Sequence, residues 1–168
     1  MASSPRISKP TWEHQLETLL PLYGHRNWIV VADSAYPAQS KPGIETLVSG
    51  AGQLEVARKV LEAVNASRHV RANVYLDQEL DFVAEADAPG VGRYRTQLTQ
   101  LLKGANTIPM LHEQIIAKLD QVSQVFRVLI IKTDLTIPYT TVFFELGCAY
   151  WPADSEAKMR KAMAAAGK

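Results

Sequence analysis

A chain of 168 residues, 47% of them apolar and 21% charged, is long enough for one domain with a real core. Its net charge of +1 leaves no basic field to gather phosphates, and no stretch is apolar enough to span a bilayer, so nucleic-acid and membrane partners are not expected. The single cysteine, Cys148, excludes an internal disulfide and reads as a buried inert thiol; with no secretory pattern in Met1–Arg6, the expected compartment is the cytoplasm.

Residues 1–10 carry Ser, Pro and Lys and read as a flexible arm. Thr11 suits the cap of a helix with Trp12, Leu16, Leu19 and Leu20 on one face, and Gly24 suits its stop. The run Trp28–Ile–Val–Val–Ala32 before Asp33 has no polar alternation. It predicts a strand covered on both faces, as in a parallel sheet. Residues 34–43 have loop chemistry (Ser34, Pro37, Pro42, Gly43), and Ile44–Val48 reads as a short strand. Leu54, Ala57, Val60, Leu61 and Val64 recur at helical spacing over 53–65.

Val70–Leu76 reads as the next strand, and residues 77–92 as an acidic, exposed connection with at most a helical turn. Gly90 and Gly92 do not form a phosphate loop, because no apolar strand precedes them and no Lys-Ser/Thr pair comes after. Tyr94–Lys103 predicts a helix, and Ile108–Leu111 a short strand that Pro109 forces to be irregular or on an edge. His112–Val122 is helical with Ile115, Ile116, Leu119 and Val122 inward. Phe126–Ile131 is a dense central strand, residues 133–140 a loop around Pro138, and Val142–Tyr150 the last strand. The tail is a helix that Ser155 can cap, with Met159 and Met163 on one contact face. Strands alternating with helices give a single layered α/β domain, a mostly parallel central sheet flanked by helices, over 11–151. A helical extension covers 152–168.

Of four histidines, His14 and His69 lie in polar surroundings and read as solvated. His25 and His112 sit where a helix meets a strand, a position open to a structural or a functional role. No two histidines lie three to five residues apart and no cysteine pair exists, so no metal is expected. Asp33 ends one strand, His112 comes after another, and Tyr139 lies in the loop after a third. If those strands are parallel, the three side chains collect at one edge of the sheet, where open α/β sheets bind ligands.

Gly24-His25, the strand ending in Asp33, and Tyr36-Pro37 resemble the opening of the ribose pyranase and fucose mutarotase family. His112-Glu113-Gln114 resembles the Thr-His-Glu-Gln segment of the pyranase branch, and Pro138-Tyr139-Thr140-Thr141 resembles Pro-Tyr-Ala-Asn. The resemblance implies a ring-forming homo-oligomer that interconverts the ring forms or anomers of a free monosaccharide without a cofactor. It implies His25 as proton donor, with Asp33, His112, Tyr139 and Thr141 holding the sugar. Thr141 departs from the family asparagine, replacing a carboxamide by a hydroxyl of shorter reach. The family glutamate ahead of the tyrosine falls near Asp134, one residue out of step.

These residue types suit the reaction. Opening a hemiacetal needs a base at the anomeric hydroxyl and an acid at the ring oxygen, and histidine serves either role near neutral pH. His25 and Asp33 are separated by an extended strand of eight steps, roughly 26 Å at 3.3 Å each. Either the chain bends before Trp28 or one site combines two subunits, and an oligomeric ring favours the second. Two other functions fit the same residues: a sugar-binding or regulatory protein without chemistry, and an assembly subunit docked through the C-terminal helix.

Overall fold

The computed structural model describes residues 11–168; the arm expected over 1–10 lies outside them. Helix α1 (Trp12–Leu19) starts at Thr11, whose hydroxyl accepts from the backbone N–H of His14, and runs on through a 3-10 turn at Leu20–Leu22. Then come β1 (Trp28–Ala32), β2 (Ile44–Val48), α2 (Gln53–Ala66), β3 (Val70–Asp77), a 3-10 turn at Gln78–Phe82 and α3 (Val91–Leu101). The chain ends with β4 (Asn106–Met110), α4 (His112–Val122), β5 (Val128–Lys132), β6 (Val142–Cys148) and α5 (Ala153–Ala165). The six strands of the described residues form one sheet in the order β2-β5-β1-β6-β3-β4. Five run in one direction, and only β6, inserted between β1 and β3, runs against them. The expected layered α/β domain with a mostly parallel sheet is what the chain forms.

Strand periodicity divides the core in two. Ile29 and Val31 of β1, Leu129 and Ile131 of β5, and Phe144 of β6 face α1, α2 and α3. Their alternates, Trp28, Val30, Val128, Ile130 and Phe143, face Ile115 and Leu119 of α4 together with Tyr36 from the loop after β1. β1 is buried at all five positions, as its unbroken apolar run requires. Each fully buried side chain of this size contributes about 1.5–3 kcal/mol. β4 is an edge strand paired with β3 alone, so Pro109 costs it no ladder bond on the open side.

Several boundaries differ from the sequence pattern, each for a local reason. α3 starts at Val91, ahead of Tyr94, because the Glu85 carboxylate accepts from the N–H groups of Gly90 (2.6 Å) and Gly92 (2.9 Å) at its N-terminus. The acidic connection is accordingly not all exposed: Leu80, Ala88 and Val91 are buried in it. β4 begins two residues early at Asn106, whose carboxamide donates to that of Asn73 on β3 (2.9 Å). β5 begins at Val128, and β6 stops at Cys148, which is half-buried rather than fully enclosed. His69 is half-buried rather than fully solvated; its Nε2 lies 3.2 and 3.0 Å from the carbonyls of Leu20 and Tyr23. α5 buries none of its residues.

Gln53, the first residue of α2, is 2% exposed and knots the sheet's outgoing ends together. Its amide Nε2 donates to the carbonyls of Val31 (2.9 Å) and Thr140 (2.8 Å), and its Oε1 accepts from the Thr133 hydroxyl (2.5 Å). The Tyr94 hydroxyl also donates to Thr140 (2.7 Å). Gln53→Met keeps the side-chain length and leaves these buried partners unmet. It is expected to lower unfolding free energy by about 3 kcal/mol in urea titrations, since each orphaned group costs roughly 1–3 kcal/mol.

Candidate active site

The loops leaving β1, β3, β4 and β5 converge at one end of the sheet. After β1, the Asp33 carboxylate accepts from the Ala35 N–H (2.9 Å) and closes a tight turn. Ser34 N–H donates to the Leu135 carbonyl (2.9 Å), tying this loop to the one between β5 and β6. Tyr36 is buried beneath, its hydroxyl accepting from Gln39 (3.5 Å), and burial pushes its pKa up to about 12.

β4 passes into α4 through Leu111 alone, which places His112 at the mouth of the helix. The Glu79 carboxylate accepts from the His112 N–H (3.0 Å to each oxygen) and satisfies the start of α4. The imidazole Nδ1 lies 3.0 Å from Asp77 Oδ1, at the end of β3. In the β5–β6 loop the Thr140 hydroxyl donates to the Ile137 carbonyl (2.7 Å), and Tyr139 adopts φ +58°. That left-handed backbone is uncommon for an aromatic residue and is held where it presents the ring. The Tyr139 ring meets His112 edge to face, with centroids 5.7 Å apart.

These loops enclose a cavity of about 610 Å³ lined by Asp33, Tyr36, Asp77, His112, Tyr139 and Thr141 among others. Its size falls in the range of small-molecule sites. A larger groove of about 830 Å³ between α2 and α3 is lined by Arg58, Arg95 and neutral side chains, without a histidine or carboxylate. Among the described residues no group of three or more His, Cys, Asp or Glu side chains is arranged to hold a metal ion.

The structure thus brings together four of the five expected site residues. His25 is not among them. It is exposed in the turn from Gly24 to Asn27, at the opposite end of β1. Asn27 N–H donates to the Gly24 carbonyl (3.2 Å), the Asn27 carboxamide oxygen accepts from Gly24 N–H (2.8 Å), and Arg26 N–H donates to the Leu146 carbonyl (2.8 Å). The chain does not bend back before Trp28. Arg26, next to His25, has φ +74° and is the one other non-glycine residue with positive φ among those described.

Asp77 is the site residue that sequence reasoning missed. It sits in an acidic stretch that reads as solvent-facing, yet its side chain is fully buried and its Oδ2 has no hydrogen-bond partner. The clue available was its place as the last residue of a strand parallel to β1. Burial pushes its carboxyl pKa up to about 6; the nearby His112 pulls it down, while Glu79 and Asp33 push it further up. A carboxyl whose pKa is higher folded than unfolded holds its proton longer in the folded state, so stability falls as pH rises from about 4 to about 6. Asp77→Asn removes that penalty. Its stability relative to wild type is expected to improve across the same interval by up to about 3 kcal/mol, read from urea midpoints at pH 4 to 8.

The RbsD / FucU transport protein family matches residues 8–149. Among solved structures, Bacillus subtilis RbsD complexed with D-ribose superposes with a TM-score of 0.54 at 19% identity, covering 88% of this chain and 98% of that one. The fucose mutarotase of Streptococcus pneumoniae in complex with L-fucose gives 0.52 at 19%, covering 79% and 91%. FucU from Bifidobacterium longum gives 0.54 at 16%, covering 86% and 98%. No curated protein matches the chain. At these identities the structural likenesses establish a common fold, and the family match spans that whole fold up to the end of β6: the chain belongs to the RbsD / FucU transport protein family.

Proposed function

We propose that this protein interconverts the anomers or the pyranose and furanose forms of a free monosaccharide by acid–base ring opening, without a cofactor. The observation that carries the reading is the one cavity that gathers Asp33, His112, Tyr139 and Thr141. Its chemistry suits a sugar: carboxylate and hydroxyl groups to bind ring hydroxyls, and an aromatic face for the apolar side of the ring. Relatives of the same fold are an RbsD complexed with D-ribose and a fucose mutarotase complexed with L-fucose.

His25 acts as the proton donor, by its likeness to the family's Gly-His motif, and it reaches the cavity of a neighbouring copy. Two features of this chain support that arrangement. His25 is exposed at the far end of β1, and the left-handed Arg26 fixes the turn that presents it. A heterologous contact of this kind, repeated from subunit to subunit, closes a ring.

Exchange NMR over a panel including ribose and fucose tests the activity. Wild type is expected to accelerate anomer or ring-form exchange, and His25→Ala to lower it about 100-fold or more. Equal mixtures of His25→Ala and Asp33→Ala subunits, reassembled together, are expected to regain about a quarter of wild-type activity, because a quarter of shared sites then hold both groups. Full activity at the mass of a monomer would refute the shared site. The replacement of the family asparagine by Thr141 favours a second reading, a sugar-binding protein without chemistry. Saturable sugar binding with unaccelerated exchange would select it.

A further inference from the structure

Ring opening uses two proton carriers, and the proposed donor supplies one. The second must stand inside the cavity. His112 is a third exposed there, and its Nδ1 lies 3.0 Å from a fully buried carboxylate. Asp77 ends β3 and meets His112 at the start of α4, and the Glu79 carboxylate accepts from the His112 backbone N–H. Around pH 8 an ionised Asp77 is an acceptor only. At 3.0 Å it therefore requires the proton of a neutral His112 to reside on Nδ1. Nε2 is then left with a free lone pair, on a side chain that lines the cavity.

The geometry points to Asp77 as a positioning residue that fixes His112 as the base of the reaction. The inference rests on the proposed sugar chemistry and adds a role to a residue otherwise read as a sugar contact. In the opening step Nε2 of His112 takes the proton of the anomeric hydroxyl. The O–H electron pair becomes the second bond of the new carbonyl. The bond from the anomeric carbon to the ring oxygen breaks, its pair goes to that oxygen, and the oxygen takes a proton from the neighbour's imidazolium. One imidazole gains a proton, one loses a proton, and nothing is oxidised or reduced. Reclosure on the other face of the carbonyl returns both protons. Tyr139 packs against the His112 ring in a T-shaped pair.

The orphaned Oδ2 of Asp77 is consistent with this role. A buried carboxylate with an unmet oxygen is costly, and a purely structural site would be better served by an apolar side chain.

Nitrogen-15 NMR on histidine-labelled protein at pH 8 reads the tautomer directly, with the three other histidines as internal references. Wild type is expected to show His112 with the proton on Nδ1. Asp77→Leu is expected to move that proton predominantly to Nε2 and to slow exchange of the sugar that wild type turns over by about 100-fold. His112→Gln is expected to lose as much, and the double variant no more than either alone, the signature of two residues acting as one unit. A wild type with the proton on Nε2 overturns the inference even if Asp77→Leu fails to fold. So does an Asp77→Leu rate within about threefold of a wild type that exchanges sugar. A wild type that accelerates no sugar removes the base role together with the proposed function, whereas the other two results leave that function standing.

Discussion

Three strands of unlike origin must end together for this site to exist, and one buried carboxamide holds them there. Gln53 donates to β1 at Val31 and to the β5–β6 loop at Thr140, and accepts from Thr133 just beyond β5. Without an acceptor and donor at that point, the reversal of chain direction between β5 and β6 would leave several buried polar groups unmet. Among the described strands β6 alone runs against its neighbours, and residues 133–141 are what turn the chain into it. The same nine residues carry Tyr139 and Thr141. The interaction that permits the topology therefore also places these cavity-lining side chains.

The two faces of the sheet have different tasks. Three helices, α1 to α3, cover one face and supply most of the apolar burial. The other face is covered by α4 and the loop after β1, and these also carry His112, Asp33 and Tyr36. Packing of Ile115 and Leu119 fixes α4 on the sheet, which fixes where His112 meets Asp77. Site geometry is thus a by-product of core packing, with little left to mobile side chains. The departures from good structural practice are concentrated here: an orphaned carboxylate oxygen at Asp77 and left-handed backbone at Tyr139, with a second left-handed residue beside His25.

Much of the fold was legible because its signals are local. The unbroken run of β1 predicted burial on both faces, and the 3.6-residue repeats of α2 and α4 predicted which sides face the sheet. The joint placement of Asp33, His112 and Tyr139 was also legible. Each lies just past the end of a strand, and parallel strands bring their outgoing loops to the same edge of the sheet. Boundaries were less so. α3 began early because of Glu85, a carboxylate outside the helix whose partners at Gly90 and Gly92 leave no periodic trace.

By itself the sequence determined the order and type of the elements and a cluster of candidate residues at the outgoing ends of the strands. These arise from side-chain period and chain direction, which are properties of short segments. The tertiary structure alone decided that β4 takes the sheet's edge, that β6 lies antiparallel between β1 and β3, that Gln53 ties the end of β1 to the β5–β6 loop, and that Asp77 is buried against His112 rather than solvated in an acidic stretch. Each joins residues 22 to 87 positions apart, or sets a strand beside neighbours distant in the chain. Whether a carboxylate faces water or an imidazole depends on what packs over it, and no local pattern encodes that. His25 is the limiting case: its own chain holds it at the end of β1 opposite the cavity of Asp33, His112, Tyr139 and Thr141, a separation that follows from the strand between them.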